Sequence, residues 1–496
     1  MAYVKPGIEV TQVQGTSSPI LTEPTLNATV VGKAFYIQDI AEDEAVWSTT
    51  YSGVSASISL SDFGNGYENV ETGDGSLVYV DIQSTAGANV GQVLHLKPSD
   101  HFSVSEGGSA TVTLSGSLTV GGAAITAGTV RVGYRAKKAD SEGFKQLNSL
   151  DTIKTELGEP VSWNPLSYAA NLCQANSASI VTSFGTDDAD GTDTLANLGL
   201  HDTYALAFID DDVSKTLIKA HCETYSNATN KKERVAFVSS QIAWRDASEW
   251  PAGATAKNNT ASDVRDANSA VSSKRVFSVH PDLAFIRETR HVSTISPAFL
   301  AASFDHVFSG TLATYNATCE LVSTVTLNNG TKYLAGTKVT EAIAEAMRAD
   351  GGLAKTHGSQ DFFSESDLNI MAEGGTYIMT QDTPSGPIFS RHQMSTDVTS
   401  VAKRELSITK ALDFTAKFIR KGLKPYIGVN VISPAFLKLL QSVLVSQGLF
   451  LVRDGVLNDF KVTSVAQDGS SKDTINVEIN VLVKYPVNYI KIKLVF

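Results

Sequence analysis

The segment Tyr489-Ile490-Lys491-Ile492-Lys493-Leu494-Val495-Phe496 alternates apolar and charged side chains and has no local partner. As a strand it puts Ile490, Ile492, Leu494 and Phe496 on one face and Lys491 and Lys493 on the other. Tyr485-Pro486 breaks the chain ahead of it, so it does not simply continue the preceding strand. A second such segment, Gly7-Ile8-Glu9-Val10-Thr11, alternates near the start, and Gly15-Thr16-Ser17-Ser18-Pro19 stands where a pairing strand would be expected. Backbone N–H and C=O groups must be paired when they leave water, and one short strand is not stable alone. Each segment therefore either closes a sheet of its own chain or adds to a neighbour's.

At 496 residues the chain exceeds one ordinary core, which predicts three or four domains of about 100 to 200 residues. A hydrophobic fraction of 42% with 19% charged residues is that of a globular protein. No uninterrupted apolar run approaches the roughly 20 residues that cross a bilayer, so membrane insertion is not expected. Met1-Ala2-Tyr3-Val4-Lys5-Pro6 has neither the apolar stretch nor the cleavage site of a secretory signal, and synthesis in the cytoplasm is expected. The net charge of −12 argues against direct contact with nucleic acid, which calls for clustered Lys and Arg. Cys173, Cys222 and Cys319 lie far apart, with no C-x-x-C pair, and read as buried thiols.

The fold class expected is mixed α+β with several domains. From Tyr51 to Arg135 the sequence is rich in Gly, Ser, Thr and Val, with period-two runs such as Ser76 to Ile82 and Ala110 to Leu114 and turns at Gly64-Asn65-Gly66, Gly107-Gly108 and Gly121-Gly122. That pattern predicts an inserted all-β sandwich or barrel. Val30 to Tyr36 before it and a helix near Phe144 to Leu157 after it are assigned to one flanking fold. Alternating signals follow: a helix over Pro165 to Gln174, strands over Ala178 to Thr182 and Tyr204 to Ile209, a helix over Asp212 to Ser226 and a strand over Arg234 to Val238. They predict an α/β layer. Later come a long helix from Val401 to Lys421, a strand over Tyr426 to Ile432 and a helix opened by Ser433-Pro434 and stopped at Gly448. Strands follow over Leu449 to Arg453, Phe460 to Val465 and Ile475 to Val481, the last alternating strictly. The resulting division is an N-terminal extended arm (1–22), an α/β middle domain (23–50 and 136–367), the β insert (51–135), a C-terminal α+β domain (368–484) and a C-terminal arm strand (485–496).

No catalytic constellation emerges, and no cofactor or metal is indicated. Gly32-Lys33 lacks the spacing and the Ser or Thr of a phosphate-binding loop, and neither G-x-S-x-G nor H-E-x-x-H occurs. The nine histidines are scattered singly; His280 and His291 flank an Arg-containing segment and read as structural. Asp210-Asp211-Asp212 reads as the cap of the helix that follows. The run Asp187-Asp188-Ala189-Asp190-Gly191-Thr192-Asp193 fails as a calcium loop, because the register that puts Gly191 at position six puts Thr186 and Asn197 at the two anchors. Asn27-Ala28-Thr29, Asn227-Ala228-Thr229 and Asn316-Ala317-Thr318 match glycosylation acceptors, which without a secretory route carry no meaning.

Several segments, in this order, resemble the contractile tail sheath protein family of bacteriophages and related injection machines. Lys5-Pro6-Gly7-Ile8-Glu9-Val10 is similar to that family's opening strand. Leu157-Gly158-Glu159-Pro160 with Asn164-Pro165-Leu166-Ser167-Tyr168-Ala169-Ala170 resembles its Gly-x-Pro and Asn-Pro-Leu segment. His221 to Ser226 followed by Lys232 to Ala236 resembles its His…Ser…Glu-Arg stretch, and Ser390 to Thr396 its Arg-x-x-Thr-Thr segment. Ser296-Pro297-Ala298-Phe299-Leu300-Ala301 departs from the family's Pro-Pro-Ser-Gly turn, and the β insert has no counterpart.

The resemblance implies a subunit that polymerises as stacked hexameric rings around an inner tail tube and contracts to drive the tube through a host envelope during genome delivery. It implies the tail tube protein, baseplate and tail terminator proteins and further copies of the chain as partners, and a place in the virion tail after assembly in the host cytoplasm. The strands expected to be donated between subunits are Gly7, Ile8, Glu9, Val10 and Thr11, and Ile490, Lys491, Ile492, Lys493 and Leu494. Flexible connectors at Gly15 to Ser18 and Gln467 to Ser471 are expected to act as hinges. Alternatives are the sheath of a phage-derived bacterial injection device, a secreted adhesin or surface-layer protein, for which no export signal is found, and a hydrolase with a divergent site.

Overall fold

Ala28-Thr29-Val30-Val31-Gly32 is buried at every position, the mark of a strand covered on both faces and hence of a parallel sheet between helices. A computed structural model describes residues 28–39, 77–88, 90–96, 128–160, 164–175, 181–185, 191–209, 213–239, 261–280, 365–381, 388–486, 488 and 490–494, with strand segments at 50–51, 57–59, 102–105, 111–114, 119–120, 123–124, 283–289 and 303–309. The expected N-terminal strand from Gly7 to Thr11 lies outside the described residues. So do the Gly15 to Ser18 connector, Asp187 to Asp190, Asp210 to Asp212, His291, Ser296 to Ala301 and Cys319.

The described chain divides into two compact units, one built from Lys410–Tyr485 and the other from the described residues of Leu26–Asn328, Lys332–Thr409 and Pro486–Phe496. The larger unit holds an eight-stranded mixed sheet. Its strands are β1 (Ala28–Gly32), β2 (Gly143–Leu147), β3 (Val181–Gly185), β4 (Ala205–Phe208), β5 (Val235–Ser239), β6 (Val276–His280), β7 (Thr376–Gln381) and β8 (Ile388–His392), in the order β2-β3-β1-β4-β5-β6-β7-β8. The pairs from β3 through β7 are parallel, and β2 and β8 close the edges antiparallel.

Alternation along the strands sends side chains to two separate cores. Val30, Ala205, Ala207, Phe237, Phe277 and Tyr377 join Ile153 and Leu157 of α1 (Leu150–Leu157) and Leu166, Ala169, Ala170 and Cys173 of α2 (Pro165–Ala175). Val31, Leu206, Phe208, Ala236, Val238 and Val276 join Leu195 of α3 (Thr192–Leu198), Ile218 and Cys222 of α4 (Lys215–Tyr225) and Val271 of α5 (Ala261–Val271). A third cluster packs α5 and α6 (Glu365–Glu373) on Ile378 of β7. The N-cap of α4 is Ser214, whose hydroxyl accepts from Leu217 N–H at 3.3 Å.

Two expected elements here are divided differently. Val30 to Tyr36 is two strands, β1 and a strand over Phe35–Asp39 that pairs with Gly128–Lys137. Beyond Gly32 the chain leaves the large sheet, and Asn164 Oδ1 accepts the Phe35 N–H at 2.9 Å at the start of the next strand. Phe144 to Leu157 is β2 followed by α1, with Ser149 as N-cap, rather than one helix. Gly128–Lys137 continues an antiparallel sheet that includes Leu77–Ser84 and Val93–Leu96.

The smaller unit is helical with one hairpin. Within α8 (Leu406–Leu423), Phe414 stacks on Phe418, and Phe418 stacks at 5.1 Å on Phe450 of α9 (Pro434–Arg453). The antiparallel hairpin is β9 (Leu457–Gln467) with β10 (Ile475–Val483). Four expectations are corrected. The long helix is broken at Glu405, which adopts an extended φ/ψ of −85°/120° between α7 (Val401–Arg404) and α8. Tyr426 to Ile432 is no strand: alternation without a partner leaves a turn with Gly428 at φ +78°.

Gly448 does not stop α9, which runs through the expected strand over Leu449 to Arg453. A Cβ on Gly448 would lie 1.9 Å from the Phe460 ring, so this glycine is where β9 approaches the helix. The helix ends instead in a Schellman turn, with Gly455 at φ +80° and Val456 N–H bonded to Leu451 C=O at 2.9 Å. Finally, Gln467 to Ser471 is the hairpin turn and no arm hinge. Asp468 Oδ1 accepts from Ser470 N–H and Ser471 N–H at 2.7 and 2.8 Å, while Oδ2 accepts the Asn476 amide at 2.6 Å. At 20 residues, α9 is also long and apolar enough to cross a membrane by length and composition alone. Polar residues divide its apolar runs, and Leu440, Leu444, Gln447, Gly448 and Leu451 are buried in the unit.

Candidate functional site

The described tail residues Ile490, Lys491, Ile492, Lys493 and Leu494 form no ladder with other described residues. Ile490, Ile492 and Leu494 are 79%, 79% and 86% exposed, unusual for aliphatic side chains in a row. The root of this tail is fixed. Asn488 Nδ2 donates to Glu405 Oε1 at 3.0 Å and lies 3.2 Å from His392 Nε2. The same Glu405 oxygen accepts from His392 Nε2 at 2.9 Å and Arg404 Nε at 3.1 Å.

Local backbone builds this cluster. Glu405 forms an antiparallel bridge with Met394, Ser395 N–H bonds Arg404 C=O at 2.8 Å, and Leu406 N–H bonds Gln393 C=O at 3.2 Å. The helix break thus turns the Glu405 carboxylate inward beside the end of β8, where the residue is 2% exposed. Burial alone would raise the Glu405 carboxyl, but the hydrogen bond and charge of His392, and then those of Arg404, hold it below its ordinary pKa. Asn488 Oδ1 is enclosed with no hydrogen-bond partner among the described residues.

A second exposed feature is the hairpin. It is a two-stranded sheet, and such sheets are marginal by themselves in water. Along β10, Ile475, Val477 and Ile479 are half-buried on one face, while Asn476, Glu478, Asn480 and Leu482 are exposed on the other. Ile427, Val429 and Val431 are 76%, 78% and 85% exposed in the turn ahead of α9.

The motifs that carried the family resemblance are structural pins. Arg234 is fully buried and donates to His201 C=O at 3.0 Å and to His221 Nε2 at 2.8 Å, with its guanidinium 4.7 Å from the Tyr225 ring centroid. Arginine has no lone pair to offer, so His221 accepts and its ring is neutral. Asn164 is fully buried; besides accepting from Phe35 it donates to Leu157 C=O at 2.8 Å and Glu159 C=O at 3.0 Å, tying the end of α1 to the start of the Phe35 strand. Thr396 exchanges two hydrogen bonds of 3.0 Å with the Ser273 backbone ahead of β6. His280 is buried in β6. Cys173 and Cys222 are buried thiols, and burial pushes the latter up to about 12.

With this geometry in hand, the solved structures are informative. The anti-feeding prophage helical sheath in its contracted state superposes with a TM-score of 0.50 at 14% sequence identity, over 72% of this chain and 89% of that one. The chain has the contractile-sheath fold. Two further likenesses are a sheath complex of the extracellular injection system PVC in its contracted state and a sheath tail protein from Listeria innocua. The first is 12% identical over 71% of this chain and 86% of that one, with a TM-score of 0.48. The second is 10% identical over 94% and 93%, with a TM-score of 0.42. No family model matches the chain, and no curated protein matches it.

The exposed tail with its polar root, and the β9–β10 hairpin, are the candidate contact surfaces among the described residues. Among the described residues no group of three or more His, Cys, Asp or Glu could hold a metal ion. The root residues His392, Glu405 and Asn488 were not legible as a site, because 83 and 96 residues separate Asn488 from its two partners. The one local signal was a carboxylate inside an otherwise regular helical stretch.

Proposed function

We propose that this chain is the structural, non-enzymatic subunit of a contractile tail sheath, stacked as hexameric rings around an inner tail tube. The observation that carries the proposal is the exposed, alternating tail Ile490 to Leu494, rooted at Asn488 and unpaired among the described residues, beside the sheath fold itself. Strand addition joins subunits through main-chain hydrogen bonds. The hairpin of β9 and β10 offers edges for it: a tail strand laid beside β10 extends the face of Ile475, Val477 and Ile479 and sets Lys491 and Lys493 near Glu478. Links of this kind persist while the packing between subunit bodies changes. Contraction then needs no fuel, because burying ~300 Å² more apolar surface per subunit contributes ~7 kcal/mol before ordering costs are subtracted.

Under this reading the N-terminal arm from Gly7 to Thr11 donates a second strand, and the chain is divided as the sequence suggests, with the β insert of 51–135 on the outside. The partners are further copies of the chain, the tail tube protein and the baseplate and tail terminator proteins. Assembly takes place in the host cytoplasm, and the product is a virion tail. The likeness to the anti-feeding prophage sheath fits a phage-derived injection device as well. Electron microscopy of the purified protein tests the proposal: striated hollow cylinders are expected, and a chain lacking Ile490 to Phe496 should stay folded and dispersed. Cylinders from the truncated chain would refute strand donation by the tail.

A further inference from the structure

Among the described residues the chain passes between the two compact units twice, between Thr409 and Lys410 inside α8 and between Tyr485 and Pro486 ahead of the tail. Both passages are held by one residue of the larger unit. The Glu405 carbonyl accepts the N–H of Thr409, the last residue before the first passage, at 3.2 Å, and the Glu405 carboxylate accepts from Asn488, two residues beyond Pro486, at 3.0 Å. Glu405 is itself fixed from within that unit. The Met394 bridge holds its main chain, His392 Nε2 and Arg404 Nε hold the same carboxylate oxygen, and Leu406, the next residue, is buried in the core that α1 and α2 cover.

A body carried on one strand of chain can twist about it, whereas a second strand fastened alongside resists the twist and leaves bending. We propose that Glu405 is a clasp that fastens both passages to the larger unit, so that the smaller unit is carried on a two-strand hinge and the tail takes its direction from the larger unit. Every bond of the clasp lies inside the larger unit, as does the tail, whose first residue Ile490 follows Asn488 by two positions. Pro486 stiffens the approach, because its ring fixes the backbone φ. A pull on the tail therefore arrives at Asn488 and passes through Glu405 and His392 into β8 before it reaches the hairpin of β9 and β10. The clasp goes beyond the sheath reading and stands or falls without it, since it depends on contacts inside the chain and on nothing that the tail pairs with.

Distance distributions between two spin labels on the dilute, full-length chain test the clasp. Ala267→Cys on α5 with Ser442→Cys on α9 reports the hinge, and Ala267→Cys with Lys493→Cys reports the tail; all three positions are exposed. Cys319→Ser is the background, and the buried Cys173 and Cys222 are left in place. Both distributions should be narrow with Asn488 intact and widen about twofold or more in Asn488→Asp, which sets a second carboxylate against Glu405, while the thermal midpoint hardly moves. Asn488→Ala, which removes the donor, should widen both as well and serves if Asn488→Asp does not fold. Adding Glu405→Gln to Asn488→Asp exchanges amide and carboxylate across the same bond and should recover about half of the lost sharpness, which a general loosening of the chain would not. Distributions equally wide with and without the Asn488 amide, or a double variant no narrower than Asn488→Asp, would overturn the clasp.

Discussion

The large sheet is built from strands buried on both faces, whereas the β9–β10 hairpin and the tail residues alternate apolar and polar side chains. In the larger unit, polar groups that the family motifs supply have jobs inside the chain: Arg234 satisfies the His201 carbonyl and His221, Asn164 closes α1, and Thr396 pins the entry to β6. Helices cover both faces of the sheet, and β2 and β8 are its antiparallel edge strands. The hairpin shows two strands among the described residues, and the described tail residues Ile490 to Leu494, rich in exposed aliphatic side chains, pair with no other described residue. If the tail is a donated strand as proposed, damage to the first region should read out as stability and damage to the second as assembly.

The comparison breaks if Arg234 can be lost cheaply. Arg234→Met leaves the His201 carbonyl and His221 Nε2 buried without a donor, and unfolding in denaturant should show a loss on the order of 3 kcal/mol. Acid should reach the same region next. Burial, and then the nearby Arg234, lower His221 from 6.5 to about 3, and burial followed by Lys215 does the same to His280. The folded chain keeps both rings neutral while the unfolded chain takes up protons below pH 6.5. Stability is therefore full at neutral pH and falls as pH drops from about 6.5 toward 3, by about 1.4 kcal/mol per pH unit for each ring. Denaturant midpoints at pH 7 and pH 5 measure it, and a flat profile would mean that the rings already titrate in the fold.

The same contrast explains what was legible in the sequence. Strands β4 and β5 and helices α2 and α4 were readable because burial on both faces writes continuous apolar runs, and helical spacing wrote Leu166, Ala169, Ala170 and Cys173 as one stripe. Boundaries failed where a distant residue decides them. Asn164 holds the first residue of a strand 129 residues away, and Phe460 explains a glycine that read as a helix stop. Glu405 breaks a helix in order to face a tail that only the fold brings near. Ile427, Val429 and Val431 had the alternation of a strand and lacked a partner, and periodicity reports the side-chain pattern without reporting whether a ladder exists. The tail itself was legible as unpartnered; where it is rooted was not.

A smaller effect separates two roles for Gly448. As a helix stop its replacement by Ala would be harmless or favourable by about 1 kcal/mol, since Ala is the better helix former. As the contact point of α9 with β9, Gly448→Ala drives a Cβ into the Phe460 ring and should cost about 1–3 kcal/mol, measured as a lower thermal midpoint. Phe460→Leu in the same chain should restore part of it. Because this contact orders the hairpin, assembly should weaken in step with the midpoint, which makes Gly448 a bridge between the two kinds of readout.

In the tail the two readouts should separate completely. Ile490→Asp with Ile492→Asp removes side chains that the monomer leaves in water, so stability should change by no more than about 0.5 kcal/mol while sedimenting assemblies disappear. The smallest effect belongs to charge. Lys491 and Lys493 are exposed, and the nearest chemistry a strand beside β10 would meet on that face is Glu478 between Asn476 and Asn480. Lys491→Glu with Lys493→Glu should weaken assembly several-fold in dilute buffer and hardly at all near 1 M salt, where screening acts within about 3 Å. Glu478→Lys added to that double variant should recover part of the loss by restoring opposite signs across the new pair. Recovery would place the tail beside β10; an unrelieved loss would move its acceptor to β9 or to another surface and leave strand donation itself in place.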